Sequence, residues 1–346
     1  MTSKILAVLK LHLKPQLRHI VVMLALAVLV SSVALAQEYV PSQGRLTLNS
    51  SQPVMTSDVV NTSTIYYVDY VGPIVPLVTG SGGTLTYSSA KVTYPLTLTL
   101  TSSQVAGAIY DIFFFETIGG TFQIGVGPAW ASSTSRGTGT GTTEISQNYY
   151  DEVWRNDESF IPTNGTLSFP TLTAGKGTYL GSVYMTADGE TSMQFQPAAA
   201  SGGSASVLGL YNAYNRVPVS SQSVDSTNSW TYAGDAWRAS DNSTSNRVSF
   251  LDGLQQSPIA ANFLQASNQT YQIQATIGCQ IDATTGGPPG FLGSLLGQSG
   301  YLTMNAKANF DPQLGLHYIQ AMEFSSGTTT TFYGAGNMLL QIALEM

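Results

Sequence analysis

Apolar and polar side chains alternate along much of this chain. Between Val92 and Leu100 every even position is Val, Tyr or Leu, and the odd positions are Thr or Pro. Because successive side chains of a strand point to opposite faces, this period of two predicts a half-buried antiparallel strand. Pro95 lies on the polar face and has no N–H to donate to a neighbouring strand, so we expect an edge strand here.

The same alternation recurs elsewhere. In Tyr271–Ile281 the odd positions are Tyr, Ile, Ala or Cys, and the even positions are Gln, Thr or Gly. Clusters of Gly and Ser separate the other apolar runs, as turns between short strands require. The further predicted strands are Arg45–Leu48, Thr64–Tyr70, Ile109–Glu116, Thr121–Val126, Thr178–Met185, Ser206–Leu210, Arg247–Phe250, Leu316–Phe324 and Thr328–Tyr333.

Helical signals are weak by comparison. No segment combines both helix caps with a sustained period of 3.6 residues. Short helical turns are expected near Gly253–Asn262, where Leu254 and Phe263 could anchor one. The C-terminal segment Asn337–Met346 is ambiguous, and we interpret it as a closing strand. The pattern therefore predicts an all-β protein.

Two antiparallel β-sandwich-like domains are expected, because the chain is longer than one hydrophobic core usually serves. A run of Ser, Thr and Gly with one Arg predicts a linker or long loop at 136–143. This places an N-terminal β domain at 37–135 and a larger C-terminal β domain at 144–346. The apolar loop Thr284–Gly300 is expected to pack against its own domain; exposed, it would be a partner contact.

Residues 1–36 have the pattern of a signal peptide. A basic opening precedes an apolar run from Ile20 to Val30, and small residues at Ala34 and Ala36 match a signal-peptidase site, so cleavage is expected before Gln37. The alternative is an uncleaved membrane anchor, because the stretch just reaches the roughly 17 apolar residues that a span requires. Either interpretation predicts a secreted or cell-surface protein.

Charge excludes one class of partner. Without residues 1–36, nine basic residues remain against 20 acidic ones, a net charge of −11. Nucleic-acid binding needs clustered Lys and Arg, so we expect none. Cys279 is the one cysteine, which rules out an intrachain disulfide.

Metal and cofactor chemistry is not indicated either. Beyond the leader only His317 supplies an imidazole, and no metal-ligand spacing or phosphate-binding loop that opens a helix is present. No G-x-S-x-G turn accompanies His317, so we interpret it as a packed or rim residue of a strand. We expect no cofactor, no metal site and no catalytic triad.

Carboxylates beside aromatic side chains are the remaining candidate chemistry. One cluster, around Trp154 and Arg155, and a second, around Trp237 and Arg238, supply them; the carboxylates are Asp151, Glu152, Asp157 and Glu158 in the first and Asp235 and Asp241 in the second. Glycosidases place two carboxylates beside the scissile bond, whereas a sugar-binding surface needs the aromatic rings alone. A third interpretation is a solvated loop held by an Arg–carboxylate pair. The possible glycan contacts are Trp154, Asp157, Glu158, Trp230, Asp235 and Trp237.

Ten short segments, in this order, resemble one family of proteins from tailed-phage and prophage genomes. They are Arg45–Leu48, Ser57–Val59, Thr64–Tyr67, Tyr110–Phe113, Gly127–Trp130, Arg136–Gly139, Thr178–Val183, Tyr211–Val217, Asp225–Thr227 and Ser229–Tyr232. The likeness spans about residues 43–280. It implies a virion structural or fibre-associated β-protein, with no catalytic residues to carry over. Virion proteins assemble in the cytoplasm and normally lack a leader, so an exported relative and a virion protein both remain open.

The sequence therefore predicts a non-enzymatic, exported or virion-associated structural or adhesive β-protein. Its partners would be a cell-envelope or glycan surface, or other virion proteins, and homo-oligomerisation would multiply weak contacts. The alternatives are a β-sandwich polysaccharide hydrolase that uses paired carboxylates and a sugar-binding module without turnover.

Overall fold

Alternating segments pair into antiparallel sheets along the whole described chain. The computed structural model describes residues 41–81, 84–147, 152–269, 274–290, 292–296, 300–327 and 329–346, so the predicted leader lies outside them. Within these ranges no helix has the length and hydropathy needed to cross a membrane. The all-β prediction is confirmed.

The strands follow in chain order, with one 3₁₀ turn at Ser240–Asn242. The first thirteen are β1 (Gly44–Thr47), β2 (Val59–Thr62), β3 (Thr64–Asp69), β4 (Ile74–Ser81), β5 (Thr84–Lys91), β6 (Leu96–Thr99), β7 (Ile109–Glu116), β8 (Phe122–Ala129), β9 (Ile145–Gln147), β10 (Trp154–Asn156), β11 (Thr163–Asn164), β12 (Leu167–Ser168) and β13 (Thr178–Tyr184). The others are β14 (Thr191–Met193), β15 (Ser206–Leu208), β16 (Leu210–Asn212), β17 (Pro218–Val224), β18 (Trp230–Tyr232), β19 (Arg238–Ala239), β20 (Arg247–Asp252), β21 (Ile259–Gln269), β22 (Gln274–Ile281), β23 (Gly293–Leu296), β24 (Gly300–Phe310), β25 (Gly315–Ser325) and β26 (Thr330–Glu345).

These strands form two sandwich-like halves. In the first, the sheet β12-β11-β8-β7-β13-β10-β9 is accompanied by the sheet β1-β3-β6 and the hairpin β4-β5, and β16 pairs with β13. In the second, the sheet β2-β14-β15-β20-β25-β22-β23 faces the sheet β17-β26-β21-β24. The named strands pair antiparallel except β15 with β20, which run parallel.

The largest hydrophobic core is shared by both halves. It contains buried apolar side chains between Leu46 and Met346 and draws residues from every sheet, while two smaller clusters lie around Phe113 and Tyr211. On β25, Ile319 and Ala321 enter this core, and Phe263 of β21 meets them from the facing sheet. The alternation read from the sequence therefore records which side of each strand faces the shared core.

The structure has no break at residues 136–143, where the sequence predicted a domain boundary. Residues Val40–Met346 form one compact unit, and β13 pairs with β7 across the predicted division. The chain instead passes from the first half to the second between β13 and β14, and the halves exchange two strands. β2 joins the second half and β16 joins the first, so neither half is a continuous stretch of chain.

Several local predictions are confirmed. β6 lies at the edge of its sheet, as Pro95 indicated. The C-terminal segment is the end of the long strand β26, which also contains residues 330–333 of the strand predicted separately at 328–333. Pro288 of the loop 284–300 is buried, and a Cβ at Gly278 would lie 2.2 Å from its Cγ, so this loop packs on its own sheet as expected.

The expected helical turn at Gly253–Asn262 is wrong. Asp252 is buried at the end of β20, and its carboxylate accepts hydrogen bonds from the backbone N–H groups of Leu254, Gln255, Gln256 and Ser257. This carboxylate replaces the carbonyl acceptors that a helix would have provided. The chain then enters β21 at Ile259.

A buried ion pair anchors the loop that follows β8. Arg136 Nε lies 2.6 Å from Asp111 Oδ2, and Asp111 is fully buried on β7. The guanidinium also donates to the Tyr179 hydroxyl and to the Gly253 carbonyl, and it stacks on the Trp130 ring at 4.2 Å. The supposed linker is therefore held against the sheet by its one arginine.

We predict that Asp111→Asn destabilises the protein by about 3–5 kcal/mol, because the change leaves the Arg136 charge buried without a compensating carboxylate. Urea unfolding followed by circular dichroism measures the loss. Asp235→Asn, at an exposed position, is the matched control and should leave the free energy of unfolding within about 0.5 kcal/mol of the unmodified chain. A loss for Asp111→Asn no larger than that of the control would contradict the assigned role.

Candidate functional site

The first predicted cluster lies around β10 and does not form an exposed aromatic platform. Trp154 is half-buried against a group of buried aromatic side chains that includes Phe113 and Tyr179, and its backbone N–H donates to the Tyr214 hydroxyl. Asp157 is exposed and accepts a hydrogen bond from Ser146, and Glu158 is half-buried. Asp151 lies outside the described residues.

The second cluster comes together around a residue that the carboxylate clusters did not include, Glu323 of β25. Trp230 is buried, and its indole Nε1 donates to Glu323 Oε2 at 2.7 Å. Arg238 Nη2 lies 2.6 Å from Glu323 Oε1, and Trp237 packs on Phe324 at a ring separation of 5.6 Å. Asp235 remains exposed in the loop before β19.

Glu323 has an unusual proton affinity. Burial raises its pKa from 4.5 to about 7, although Arg238 and the Trp230 N–H oppose the shift by stabilising the carboxylate. The side chain is 0% exposed. It therefore ties β18, β19 and β25 together beneath the surface.

The predicted glycan contacts belong to two separate places. Trp154 belongs to the aromatic group of the first half, whereas Trp230 lies in the main core of the second. Within the described ranges no three His, Cys, Asp or Glu side chains converge as a metal site requires.

A different feature, an open groove of about 560 Å³, lies on the outer face of β15-β20-β25. On β20 the even residues Val248 and Phe250 enter the core, so Arg247 and Ser249 point outward. The strand register places Val207 beside Ser249 and Ser249 beside Tyr318, which forms the floor of the groove. The lining residues are Ser133, Thr134, Tyr184, Thr186, Gln194, Ala205, Ser206, Val207, Arg247, Ser249, Asp282, Leu316, His317 and Tyr318.

A glycine positions one wall of this groove. Gly315 opens β25 with a φ of +108°, and a Cβ there would lie 2.1 Å from the Ser133 carbonyl oxygen. The absent side chain lets the Leu316 N–H donate to that carbonyl at 2.8 Å, which holds the Ser133–Thr134 segment against the strand.

His317 and Asp282 form a fixed pair at the groove. His317 Nδ1 lies 2.5 Å from Asp282 Oδ2, and Nε2 lies 3.1 Å from the Leu314 carbonyl oxygen. Burial lowers the pKa of His317, but the hydrogen bonds to Asp282 and Leu314 and the nearby acidic charges outweigh burial, so the pKa is raised. The ring donates on both sides when protonated. His317 is thus a packed strand residue, as predicted.

The groove can bind but is poorly equipped for acid–base chemistry. Asp282 is the one carboxylate among its described lining residues, and its other oxygen accepts the Tyr318 N–H at 3.0 Å. What remains available to a ligand is uncharged hydroxyl and amide groups, two half-buried tyrosines and the guanidinium of Arg247. Sequence reasoning missed this site because its lining comes from seven separated stretches of chain.

We predict that the stability of the protein falls as the pH rises from about 5 to 8. A carboxyl whose pKa is raised on folding stabilises the folded state below its unfolded pKa, and that stabilisation is lost as the pH rises through the folded pKa. For Glu323 the shift from 4.5 to about 7 corresponds to about 3 kcal/mol. His317, with its raised pKa, has the same sign.

Urea unfolding at pH 5 and pH 8 tests this contribution. Glu323→Gln should show a clearly smaller decrease between the two pH values than the unmodified chain, because the amide does not titrate. Glu345→Gln, at an exposed position on β26, is the control and should keep the original decrease. An unchanged decrease in Glu323→Gln would show that Glu323 is not the titrating group.

No protein-family model matches the sequence, and no curated protein matches it. Among solved structures, the Bacillus thuringiensis Cry1Da tryptic core variant is 12% identical, with a TM-score of 0.20 over 84% of this chain and 52% of that chain. The Bacillus thuringiensis insecticidal delta-endotoxin Cry8Ea1 is 9% identical, with a TM-score of 0.20 over 83% and 52%. A structure of infectious bursal disease virus, Gx strain, is 9% identical, with a TM-score of 0.18 over 83% and 74%. The chain spans about half the length of the two Bacillus proteins, and TM-scores this low carry no argument.

Proposed function

We propose that this chain is a non-enzymatic structural or adhesive β-protein, exported or virion-associated, that contacts an envelope or glycan surface through the groove on β15-β20-β25. The observation that carries the proposal is which polar groups are paired inside the protein and which line the groove. The carboxylates Asp111, Glu323 and Asp282 are engaged with Arg136, Arg238 and His317, whereas the groove presents the side chains of Tyr184, Tyr318, Gln194 and Ser249 to a ligand.

The composition of the groove supports a sugar-like ligand. Tyr184 and Tyr318 offer ring faces, and Thr186, Gln194 and Ser249 offer hydrogen-bonding groups. A sugar presents the same combination of an apolar ring face and a rim of hydroxyls. Aromatic stacking with a few placed polar groups is the usual way in which a site recognises such a molecule.

A shallow groove binds weakly, so adhesion requires several copies. Linking sites raises the overall affinity by two to four orders of magnitude when their spacing matches the surface. We therefore propose that the protein works as a homo-oligomer or in an array of virion proteins.

We predict that the protein cosediments with envelope fragments from its host and that Tyr318→Ala weakens this binding about tenfold or more, because the ring is part of the groove floor. Tyr301→Ala is the matched control: Tyr301 lies on β24 with 51% of its surface exposed, outside the groove lining. Light scattering on the same samples gives the oligomeric state. A compact monomer that binds neither envelope nor virion fractions would rule out the proposal.

The polysaccharide hydrolase alternative has one observation in its favour, the raised pKa of Glu323 beside the Trp230 indole. A general acid needs such a pKa near the working pH. Release of reducing ends from envelope glycans, abolished in Glu323→Gln, would favour the hydrolase over the adhesive protein. Binding without release favours adhesion.

A further inference from the structure

We propose that the groove selects a carboxylated sugar and that Arg247 is the group that contacts its carboxylate. This inference rests on the proposed binding function and adds the ligand class. Arg247 opens β20 and lines the groove, with its guanidinium 4.8 Å from the centre of the Tyr318 ring.

Arg247 differs from the two arginines that pair with buried carboxylates. Arg136 and Arg238 each form an ion pair of 2.6 Å with a buried carboxylate. The Nε atom of Arg247 is buried and has no hydrogen-bond partner, and no described carboxylate lies within ion-pair distance of its guanidinium. A guanidinium charge without a carboxylate partner is uncompensated, so a ligand that brings a carboxylate to the guanidinium gains binding energy that the folded chain alone lacks.

The nearest candidate inside the protein does not satisfy Arg247. Asp282 also lines the groove, but Oδ2 meets His317 Nδ1 and Oδ1 accepts the Tyr318 N–H. The Tyr318 ring lies under the guanidinium and limits its orientations. A planar guanidinium held against an aromatic ring is pre-organised for bidentate contact with an oxyanion.

Charge decides which oxyanion fits. Arg247 is the one arginine or lysine among the described lining residues, the His317 ring is held by Asp282, and the chain has a net charge of −7. One guanidinium balances the single charge of a carboxylate, whereas a phosphate monoester would bring close to two charges into a negatively charged protein. The hydroxyl and amide groups of Thr186, Gln194 and Ser249 then remain for the sugar hydroxyls.

The test is a titration of the full chain with matched sugars, in which ligand-observed NMR measures binding. Glucuronic acid is compared with glucose, and glucose 6-sulfate reports whether another single charge is accepted. We expect glucuronic acid to bind about tenfold more tightly than glucose. Arg247→Gln should remove that preference while leaving the weak glucose binding, and Arg247→Lys should reduce the preference several-fold because Lys lacks the bidentate fork.

Lys307→Gln removes the same charge from β24, outside the groove lining, and should keep the preference. Because Nε has no partner to lose, the urea midpoint of Arg247→Gln should match that of the unmodified chain; a marked decrease would assign Arg247 a structural role instead. Equal binding of glucose and glucuronic acid, tighter binding of the sulfate than of the carboxylate, or a preference that survives Arg247→Gln would overturn the inference while leaving the adhesive function standing. Envelope binding without any sugar binding in the groove would overturn both the ligand class and the groove as the contact site.

Discussion

The shared burial of inward strand faces is the constraint on which this structure depends. A sheet that is apolar on one face and polar on the other has to cover its apolar face, and here both halves contribute to one large shared cluster between Leu46 and Met346. Because β2 pairs in the second half and β16 pairs in the first, neither half would keep all of its strands without the chain of the other. Gly181 on β13 allows β16 to approach closely, because a Cβ at this position would lie 1.9 Å from the Tyr211 carbonyl oxygen of β16.

A chain with only 10% charged residues has few charges to bury, and two of its buried carboxylates pair with arginines. Asp111 with Arg136 and Glu323 with Arg238 each join segments far apart in sequence. Such pairs add little net stability compared with apolar packing, but they penalise any arrangement that separates the partners. Arg247 has no such pair, because the one carboxylate among the described lining residues of its groove, Asp282, already contacts His317 and the Tyr318 N–H.

The local fold was predictable where alternation is strong and interrupted by turns. β7 begins and ends as expected, and β25 differs from its prediction by one residue at each end. The hairpin β4-β5 was missed because Pro76 and the serines of β5 suggest a loop, and only the pairing partner makes them a strand. The run Ser206–Leu210 looks continuous in sequence, yet Gly209 separates β15 from β16, which belong to different sheets.

The candidate site depended on long-range pairing, which a single sequence does not reveal. Trp230 looked like an exposed sugar platform, but its indole N–H is held by Glu323, 93 residues further along the chain. The floor of the groove required the parallel register of β15 with β20, since only that register sets Val207 beside Ser249 and Tyr318. Alternation could indicate that these side chains point outward; it could not indicate that they share one surface.

The position of the groove determines the kind of contact that it can make. Its floor consists of strands from the middle of a sheet, whose register is fixed by neighbours on both sides, so a ligand would meet a surface that is already ordered and would pay little entropy to order it. A net charge of −7 gives the molecule no long-range attraction for an acidic surface, and salt further screens charges beyond about 8–10 Å. Recognition of such a surface therefore has to arise at contact, from ring faces, hydroxyl groups and one guanidinium. Short-range contacts of this kind are weak individually. In the proposed adhesive role, the number of copies presented together would therefore control the strength of adhesion more than the long-range electrostatic field of the protein.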